Sequence, residues 1–253
     1  MTSELLLIGG AWPEEPGLDT ALSQLILDRV SAGEMPATLR LYTPGREVAF
    51  GKRDAVTSQY PAAVQAAREV GFSSVQRLAG GRAAVFTEHT IAFALAIPDD
   101  DPRITIHRRF QEMSELIVAA FARLDVASEI GEVPGEYCPG EFSVNHDHQL
   151  KLMGVGQRLA KHAAHVGGVI AVNRTDLLLR ALIPVYRALE LEWRHTTTGS
   201  LGDVNPTISN EDVLAALLAE VRLRFSVVKT RFDSDLVDQA RPLAQRHLPA
   251  EAI

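Results

Sequence analysis

The chain has 253 residues, of which 46% are apolar and 23% charged, and its formal net charge is −7 at pH 7. This is ordinary globular composition, and the acidic balance argues against a general nucleic-acid binder. The one cysteine, Cys138, excludes an intrachain disulfide and fits a reducing compartment. The length predicts one large domain or two small ones.

The apolar runs of the chain are short. Residues 5–8 form the first of them, but Glu4 precedes it and Pro13 follows soon after, whereas a signal peptide needs a basic start and a longer apolar stretch. Later runs, such as residues 116–122, fall well below the roughly 20 residues of a membrane span. We therefore expect a cytoplasmic protein with no signal peptide and no membrane partner.

Apolar residues at helical spacing predict five helices. Pro61 fits the first turn of the second helix and Gly71 its end, Pro184 bends the fourth, and Ser209 caps the fifth. The third is the clearest because its apolar side chains form one stripe. In chain order these helices cover residues 18–30, 61–71, 107–124, 176–191 and a segment that begins at Ser209.

Strands are predicted between the helices at irregular intervals. The polar run Asn-His-Asp-His at 145–148 separates two of them and is typical of a hairpin turn. The irregular order of helices and strands predicts an α+β fold with a mixed sheet packed with helices. The predicted strands cover residues 37–42, 48–51, 73–77, 83–97 with an interruption, 142–144, 149–153 and 167–172.

Arg-Leu-Ala-Gly-Gly at 77–81 is the first segment that could carry chemistry, because it lies between two predicted strands. Paired glycines let backbone N–H groups approach a ligand without a Cβ in the way. A plain turn that happens to contain two glycines is the alternative.

The second segment, Gly-Glu-Tyr-Cys-Pro-Gly at 135–140, contains the lone cysteine. A thiol on a tight loop can be presented to a cleft. Taken by itself, however, a single cysteine is more often a small buried hydrophobic residue.

The third segment, Lys-Leu-Met-Gly-Val-Gly-Gln-Arg at 151–158, places a lysine inside a predicted apolar strand that two glycines follow. A solvated lysine at a sheet edge would explain Lys151. The glycines favour a role in ligand binding instead.

Histidines at 146 and 148, and at 162 and 165, have spacings that metal ligands often show. A zinc site needs three or four well-placed ligands, and the first pair lies in a predicted turn where polar residues are common. We therefore predict no metal site. The common nucleotide-binding glycine loops are also absent from the sequence.

Taken in order, these segments resemble the lipoate/biotin protein ligase superfamily, which includes lipoate–protein ligase A, biotin protein ligase and the octanoyltransferases. The matching segments are Phe-Gly-Lys-Arg-Asp at 50–54, the segment at 77–81 and the segment at 151–158. The resemblance spans most of residues 20–225. It implies a biotin/lipoate protein ligase-like catalytic domain over residues 1–226. Residues 227–253, which become more polar after about Lys229, are predicted to be a C-terminal extension or appended helix.

Within this superfamily the chain most resembles the cysteine-dependent octanoyltransferases of the LipL and LipM type. Those enzymes carry Tyr-Cys-Pro-Gly, which stands here at 137–140, and their cysteine is the nucleophile. The chain departs from the superfamily pattern at six positions around the expected acyl pocket, so the identity of the acyl group stays open. The departures are Leu78, Ala79, Arg82, Thr87, His89 and Ala92.

The resemblance implies an acyltransferase that moves an octanoyl or lipoyl group onto a lysine of a lipoyl domain. Cys138 would form a thioester, and Lys151 would favour the thiolate by its charge and donate to the acyl carbonyl. His146 or His148 is a weak candidate for a base. The residues expected to bind substrate are Arg77, Gly80, Gly81, Gly154, Gly156 and Gln157.

The resemblance also implies partners and leaves alternatives. The donor would be an octanoylated H protein of glycine cleavage or an acyl carrier protein. The acceptors would be the lipoyl domains of 2-oxoacid dehydrogenase acyltransferase subunits. No cofactor is required unless the chain is instead an ATP-dependent lipoate–protein ligase, which would use ATP and Mg²⁺. A non-catalytic binder of lipoyl domains or acyl chains is the third possibility.

Overall fold

A computed structural model of the chain describes residues 4–250. The strands are β1 (Glu4–Ile8), β2 (Thr38–Tyr42), β3 (Glu47–Phe50), β4 (Ser73–Gln76), β5 (Ala84–Phe86), β6 (Thr90–Pro98), β7 (Glu129–Ile130), β8 (Val144–His146), β9 (Leu150–Leu159), β10 (Ala163–Ala171) and β11 (Ser226–Thr230). The α-helices are α1 (Leu18–Ser31), α2 (Lys52–Ala55), α3 (Tyr60–Glu69), α4 (Ile106–Ala122), α5 (Thr175–Ala188), α6 (Leu201–Val204), α7 (Asn210–Arg224) and α8 (Ser234–Ala244).

Two sheets organise the molecule. The larger has the strand order β11-β1-β2-β6-β10-β9-β8-β7. In it β1 runs parallel to both of its neighbours, while the other adjacent pairs are antiparallel. The smaller sheet has the order β4-β3-β5, with β3 parallel to β4 and antiparallel to β5. Both sheets are therefore mixed, and the predicted α+β class is confirmed.

Helices cover both faces of the larger sheet and pack on the smaller one, with their apolar sides buried. On one face of the larger sheet, α4 and α7 share a core with the strands, and on the other α1 packs with α8. The smaller sheet forms its own core with α3 and α5. The stripe predicted for α4 is the buried one, with Met113, Leu116, Ile117 and Ala120 facing the core.

The structure confirms all five predicted helices as α1, α3, α4, α5 and α7, with ends that shift by a few residues. Ser209 caps α7 as expected. Its Oγ accepts from the Asp212 amide, while the Asp212 carboxylate accepts from the Ser209 amide at 2.9 Å. This reciprocal pairing satisfies backbone donors that the first turn of a helix leaves free.

The strand predictions were less accurate at their ends. The segment 83–97 is interrupted, as predicted, into β5 and β6. Asp147 and His148 both have positive φ, at 51° and 53°, and they turn the chain between β8 and β9 as a tight hairpin does. The prediction that β9 ends at Met153 was wrong, since the strand continues to Leu159 and contains both glycines.

The segment after residue 226 packs into the fold as far as it is described. It supplies β11 at the edge of the larger sheet, parallel to β1, and α8, which buries Leu236, Val237 and Ala240 against α1. A parallel pairing between the two ends of the chain leaves no local sequence signal. Within residues 4–250, no helix is long and apolar enough to cross a membrane.

Candidate active site

Cys138 lies in the loop between β7 and β8, at the junction of the two sheets. Its backbone adopts φ 43°, the left-handed region that residues with a Cβ rarely occupy. The Cys138 amide donates to the Tyr186 hydroxyl at 2.8 Å, and that hydroxyl donates to the Ala83 carbonyl at 2.9 Å. Tyr186, buried on α5, thus fixes a backbone conformation that costs about 1–3 kcal/mol and orients the thiol.

Two hydrogen-bond donors point at the thiol. Arg77 Nη2 and the Arg82 amide each lie 3.2 Å from Cys138 Sγ, and Arg77 Nη2 also donates to the Arg82 carbonyl at 2.7 Å. Burial opposes ionisation of the thiol, but the charges of Arg77 and Lys151 and the two hydrogen bonds outweigh it and lower the pKa of Cys138. The thiolate is the reactive form of cysteine, so this environment favours a nucleophile.

The effect of Arg77 on the thiol can be measured directly. Replacing it with glutamine removes the largest of the influences that lower the pKa of Cys138, so that pKa rises. We expect the pH midpoint of Cys138 alkylation to move upward and the rate at pH 7 to fall. Arg53→Gln is a matched control, because Arg53 lines the same cavity without a hydrogen bond to Sγ in the described chain. An unmoved midpoint in Arg77→Gln would contradict the assignment.

Gly81 has a steric reason to be glycine. Its φ is +101°, and a Cβ there would lie 2.3 Å from Arg77 Nη2 and 2.9 Å from Cys138 Sγ. Both distances are far below van der Waals contact, so any side chain at this position would displace the guanidinium or the thiol. The second glycine of the 77–81 segment therefore allows the arginine and the cysteine to meet.

Gly81→Ala should accordingly impair acylation of Cys138. Because displacing a reacting group by about 1 Å can cost about 10²-fold in rate, we expect a loss of that size. Gly9→Ala is the matched control, since a Cβ at Gly9 would meet nothing within 4 Å. The readout is the rate at which Cys138 gains an acyl group, followed by intact mass. Equal rates for the two variants would refute this steric role.

Lys151 is buried on β9, with only 2% of its surface exposed. Its Nζ donates to Glu136 Oε1 at 2.8 Å, to the Tyr137 carbonyl at 3.0 Å and to the Cys138 carbonyl at 2.8 Å. An ammonium has three hydrogens, so all of them are used. Lys151 is thus no solvated edge lysine; it holds the backbone of the cysteine loop.

Glu136 compensates the buried charge of Lys151. It is 3% exposed, and besides the lysine its Oε1 accepts from Ser143 Oγ at 2.6 Å and the Gly140 amide at 3.1 Å. Its Oε2 accepts from the Val133 amide at 3.0 Å. The carboxylate therefore ties together both ends of the loop. Sequence reasoning missed it, although a buried lysine needs a partner and Glu136 belongs to the same short segment as the cysteine.

Arg82 and Asp54 connect a third part of the chain to the site. Arg82 Nη1 lies 3.0 Å from Oδ1 of the fully buried Asp54, whose Oδ2 accepts from the Gly51 amide at 3.2 Å. A Cβ at Gly51 would lie 1.9 Å from the Gly81 carbonyl oxygen. The segment 50–54 therefore supports the 77–82 loop, and Arg82, a departure from the superfamily pattern, is paired with it.

A cavity of about 470 Å³ opens beside the thiol. That volume is within the range of small-molecule sites, roughly 300–1,000 Å³. One wall is apolar, with Phe110 and Phe142 stacked at 5.0 Å between ring centroids and Val155 nearby. All eight predicted site residues line it, namely Cys138, Lys151, Arg77, Gly80, Gly81, Gly154, Gly156 and Gln157.

Not every lining residue offers a free polar group. Gln157 Oε1 accepts from Arg109 Nε at 2.9 Å, and its Nε2 donates to the Ile106 carbonyl at 2.8 Å. Both ends of the amide are thus used to fasten the start of α4 to β9. Gln157 shapes the cavity, whereas its predicted contact with substrate remains a prediction.

His146 and His148 lie apart from the thiol, whereas His107, which the sequence did not single out, lines the cavity. His146 Nδ1 is 2.7 Å from the Ala127 carbonyl and His148 Nε2 is 3.1 Å from Glu129 Oε1, and neither lines the cavity. His165 is buried, and burial together with the charge of Arg40 lowers its pKa to about 4. Among residues 4–250, no three histidine, cysteine or carboxylate side chains come together as a metal site would require.

These observations define a thiol-centred site in a mixed α+β fold: an activated cysteine, two donors at its sulfur and a small, partly apolar cavity. Residues 15–222 match the family model of the lipoyl protein ligase A/B catalytic domain. The chain belongs to that family, and the superfamily suggested by its motifs is confirmed.

Two relatives of the chain are named for an enzyme activity. The chain is 26% identical over 188 residues to an octanoyl-[GcvH]:protein N-octanoyltransferase from Geobacillus kaustophilus, covering 74% of this chain and 66% of the relative. A protein of the same name from Bacillus velezensis is 25% identical over 219 residues, with coverages of 80% and 75%. The chain therefore spans about two thirds to three quarters of these relatives.

The fold recurs in a solved ligase structure. Lipoate-protein ligase A bound with ATP superposes with a TM-score of 0.76 at 19% identity, covering 97% of this chain and 95% of that one. At that identity the likeness shows the fold alone.

Proposed function

We propose that this chain is an octanoyltransferase that passes an octanoyl group through Cys138 to a lysine of a lipoyl domain. The observation that carries the proposal is the thiol with a lowered pKa at the wall of a partly apolar cavity. The names of the relatives support octanoyl as the group transferred. A non-catalytic binder would need no activated thiol at this place.

In the first step, the Cys138 thiolate attacks the carbonyl carbon of an octanoyl-lysine on the donor protein. A carbon–sulfur bond forms, and negative charge develops on the carbonyl oxygen. The carbon–nitrogen bond then breaks, and the departing amine takes up a proton. Donors close to Sγ, the Arg82 amide and Arg77, are placed to stabilise the developing oxyanion.

In the second step, the neutral amine of an acceptor lysine attacks the thioester. A new amide bond forms, the carbon–sulfur bond breaks, and the amine loses a proton as the thiolate is restored. One amide is made for each amide broken, so the transfer needs no external energy source when the donor is an octanoyl-lysine. This balance supports a reaction without ATP or another cofactor.

Lys151 serves the reaction mainly through position and charge. With its three hydrogens already donated to the loop, it lowers the pKa of Cys138 and fixes the cysteine backbone. Donation to an acyl carbonyl would first require one of these hydrogen bonds to open. The bond to the Cys138 carbonyl is the nearest to the reacting sulfur.

For partners, we propose octanoylated H protein as the donor and the lipoyl domains of 2-oxoacid dehydrogenase acyltransferase subunits as acceptors. The relatives' names include octanoyl-[GcvH], which favours H protein over acyl carrier protein. The reactive thiol also fits the reducing cytoplasm.

The test is a transfer assay in which each step is resolved by intact mass. The chain is mixed with octanoylated H protein without an acceptor, and then with an unmodified lipoyl domain. We expect one octanoyl group on Cys138, released to the lipoyl domain without ATP. Octanoate with ATP giving the same product, together with pyrophosphate and no acylated cysteine, would instead establish the ligase alternative.

A further inference from the structure

A second recess lies on the other side of the 77–80 segment from the thiol cavity. Its volume is about 1,100 Å³, and we call it the basic groove. Its walls are one face of α1, the 76–80 segment, the end of β9 with the turn that follows, and the residues after α8. Those that matter for its charge are Asp28, Lys52, Arg77, Arg158, Lys161 and Arg246.

The charge of this groove is opposite to that of the whole chain. It contains five lysine and arginine side chains and a single carboxylate, although the chain has 25 basic and 32 acidic residues. Lys52, Arg158, Lys161 and Arg246 are exposed. Within residues 4–250, none of these four forms a salt bridge at 4.0 Å or less. Asp28 acts on Arg158 only at longer range, so the groove keeps a net positive charge for a partner.

The groove and the thiol cavity share a wall. Arg77, Gly80 and Gln157 line both recesses. A Cβ at Gly156 would lie 2.8 Å from that of Ala79, so the segment rests directly on β9. A Cβ at Gly80 would meet nothing within 4 Å. Gly80, which lines both recesses, therefore has open space beside it.

The C-terminal segment completes the basic groove. His247 Nδ1 lies 3.1 Å from the Gln76 carbonyl, and its Nε2 lies 2.9 Å from Gln24 Oε1. These two contacts hold the residues after α8 against α1 and the start of the 77–80 segment. Arg246 is thereby kept at the groove, next to the loop that carries Arg77.

We propose that the basic groove docks an acidic face of the lipoyl-type domain that carries the octanoyl-lysine, so that its arm reaches Cys138 past Gly80. The inference rests on the proposed function. An octanoyl-lysine side chain is uncharged, so apart from its amide and its alkyl chain it offers the enzyme few groups to bind. Unpaired cations at the groove attract an acidic partner and speed its encounter, and the shared wall puts that partner beside the thiol.

The test reverses the charge of the groove in R158E/K161E/R246E, none of which contacts Cys138. The matched control, R68E/R180E/R222E, makes the same change at three exposed arginines outside the groove. We expect the groove variant to raise KM for octanoylated H protein about 10- to 100-fold, and raising salt to weaken the unmodified enzyme in the same way. The control should keep the normal KM.

A small substrate separates docking from chemistry. An octanoyl thioester of a small thiol acylates Cys138 without a docked domain, so the groove variant should react with it at the normal rate. Failure of this reaction in the unmodified enzyme would refute the proposed function rather than the docking site. An unchanged KM and salt response for H protein, or an equal loss in the control, would overturn the docking proposal. If the groove variant lost activity with octanoylated acyl carrier protein but not with octanoylated H protein, acyl carrier protein would be the occupant of the groove instead.

Discussion

Cys138→Ser should abolish octanoyl transfer, with a loss of at least about 10³-fold, because a serine hydroxyl needs a base to become a nucleophile. Both hydrogen bonds to the sulfur are donated by Arg77 and the Arg82 amide, and within residues 4–250 no histidine or carboxylate is hydrogen-bonded to it. These donors and the charges of Arg77 and Lys151 lower the pKa of the Cys138 thiol and so favour its thiolate. They do not remove the proton of a hydroxyl, whose pKa is far higher.

Intact mass and transfer to a lipoyl domain together measure this variant. Cys138→Ser should show neither acylation of the enzyme nor octanoylated acceptor. Cys138→Ala is the control, since it removes the same nucleophile without adding a hydroxyl, and both variants should unfold at nearly the temperature of the unmodified chain. A serine variant that transfers octanoate at the normal rate would exclude the thioester mechanism.

The positions of the site residues explain why sequence reasoning could find so much of the site. Cys138, Lys151 and the glycines of the 77–81 segment belong to three short motifs, each visible as an unusual local pattern. These residues line one cavity only in the folded chain, because the two mixed sheets bring their segments together. The family resemblance suggested this arrangement, but no single motif predicts it. Periodicity also identified the longer helices, because their buried stripes repeat every three or four residues.

What the sequence could not show depends on partners far apart in the chain. Tyr186 belongs to an amphipathic helix and looks like any core aromatic, yet its hydroxyl holds the Cys138 amide. β9 appeared to end before its glycines, because glycine is unfavourable in strands. Packing accounts for Gly156, where a Cβ would lie 2.8 Å from the Ala79 Cβ, and for Gly168 on β10, where a Cβ would lie 2.1 Å from the Gly154 carbonyl oxygen. Close backbone packing across β9 and β10 outweighs local propensity.

The pairing of Glu136 with Lys151 leads to the second large effect. Both side chains are almost fully buried, and their charged atoms are 2.8 Å apart. Removing one partner of a buried pair leaves the other charge uncompensated, at a cost of about 3–5 kcal/mol in the free energy of unfolding. We therefore expect Glu136→Gln and Lys151→Met each to destabilise the protein by about that amount in urea unfolding.

The double variant separates stability from function. With both charges removed, no buried ion is left unpaired, so E136Q/K151M should be markedly more stable than either single variant. It should nevertheless acylate Cys138 slowly, because the pKa of the thiol rises without the charge of Lys151 and the loop loses the lysine's three bonds. Ser143→Ala is the matched control, since it removes only one hydrogen bond to Glu136 at a cost of about 1 kcal/mol. If the double variant regained both stability and normal acylation, the buried pair would have no part in positioning the nucleophile. If it regains stability while acylation of Cys138 stays slow, the pair holds the loop in the conformation in which the thiol reacts.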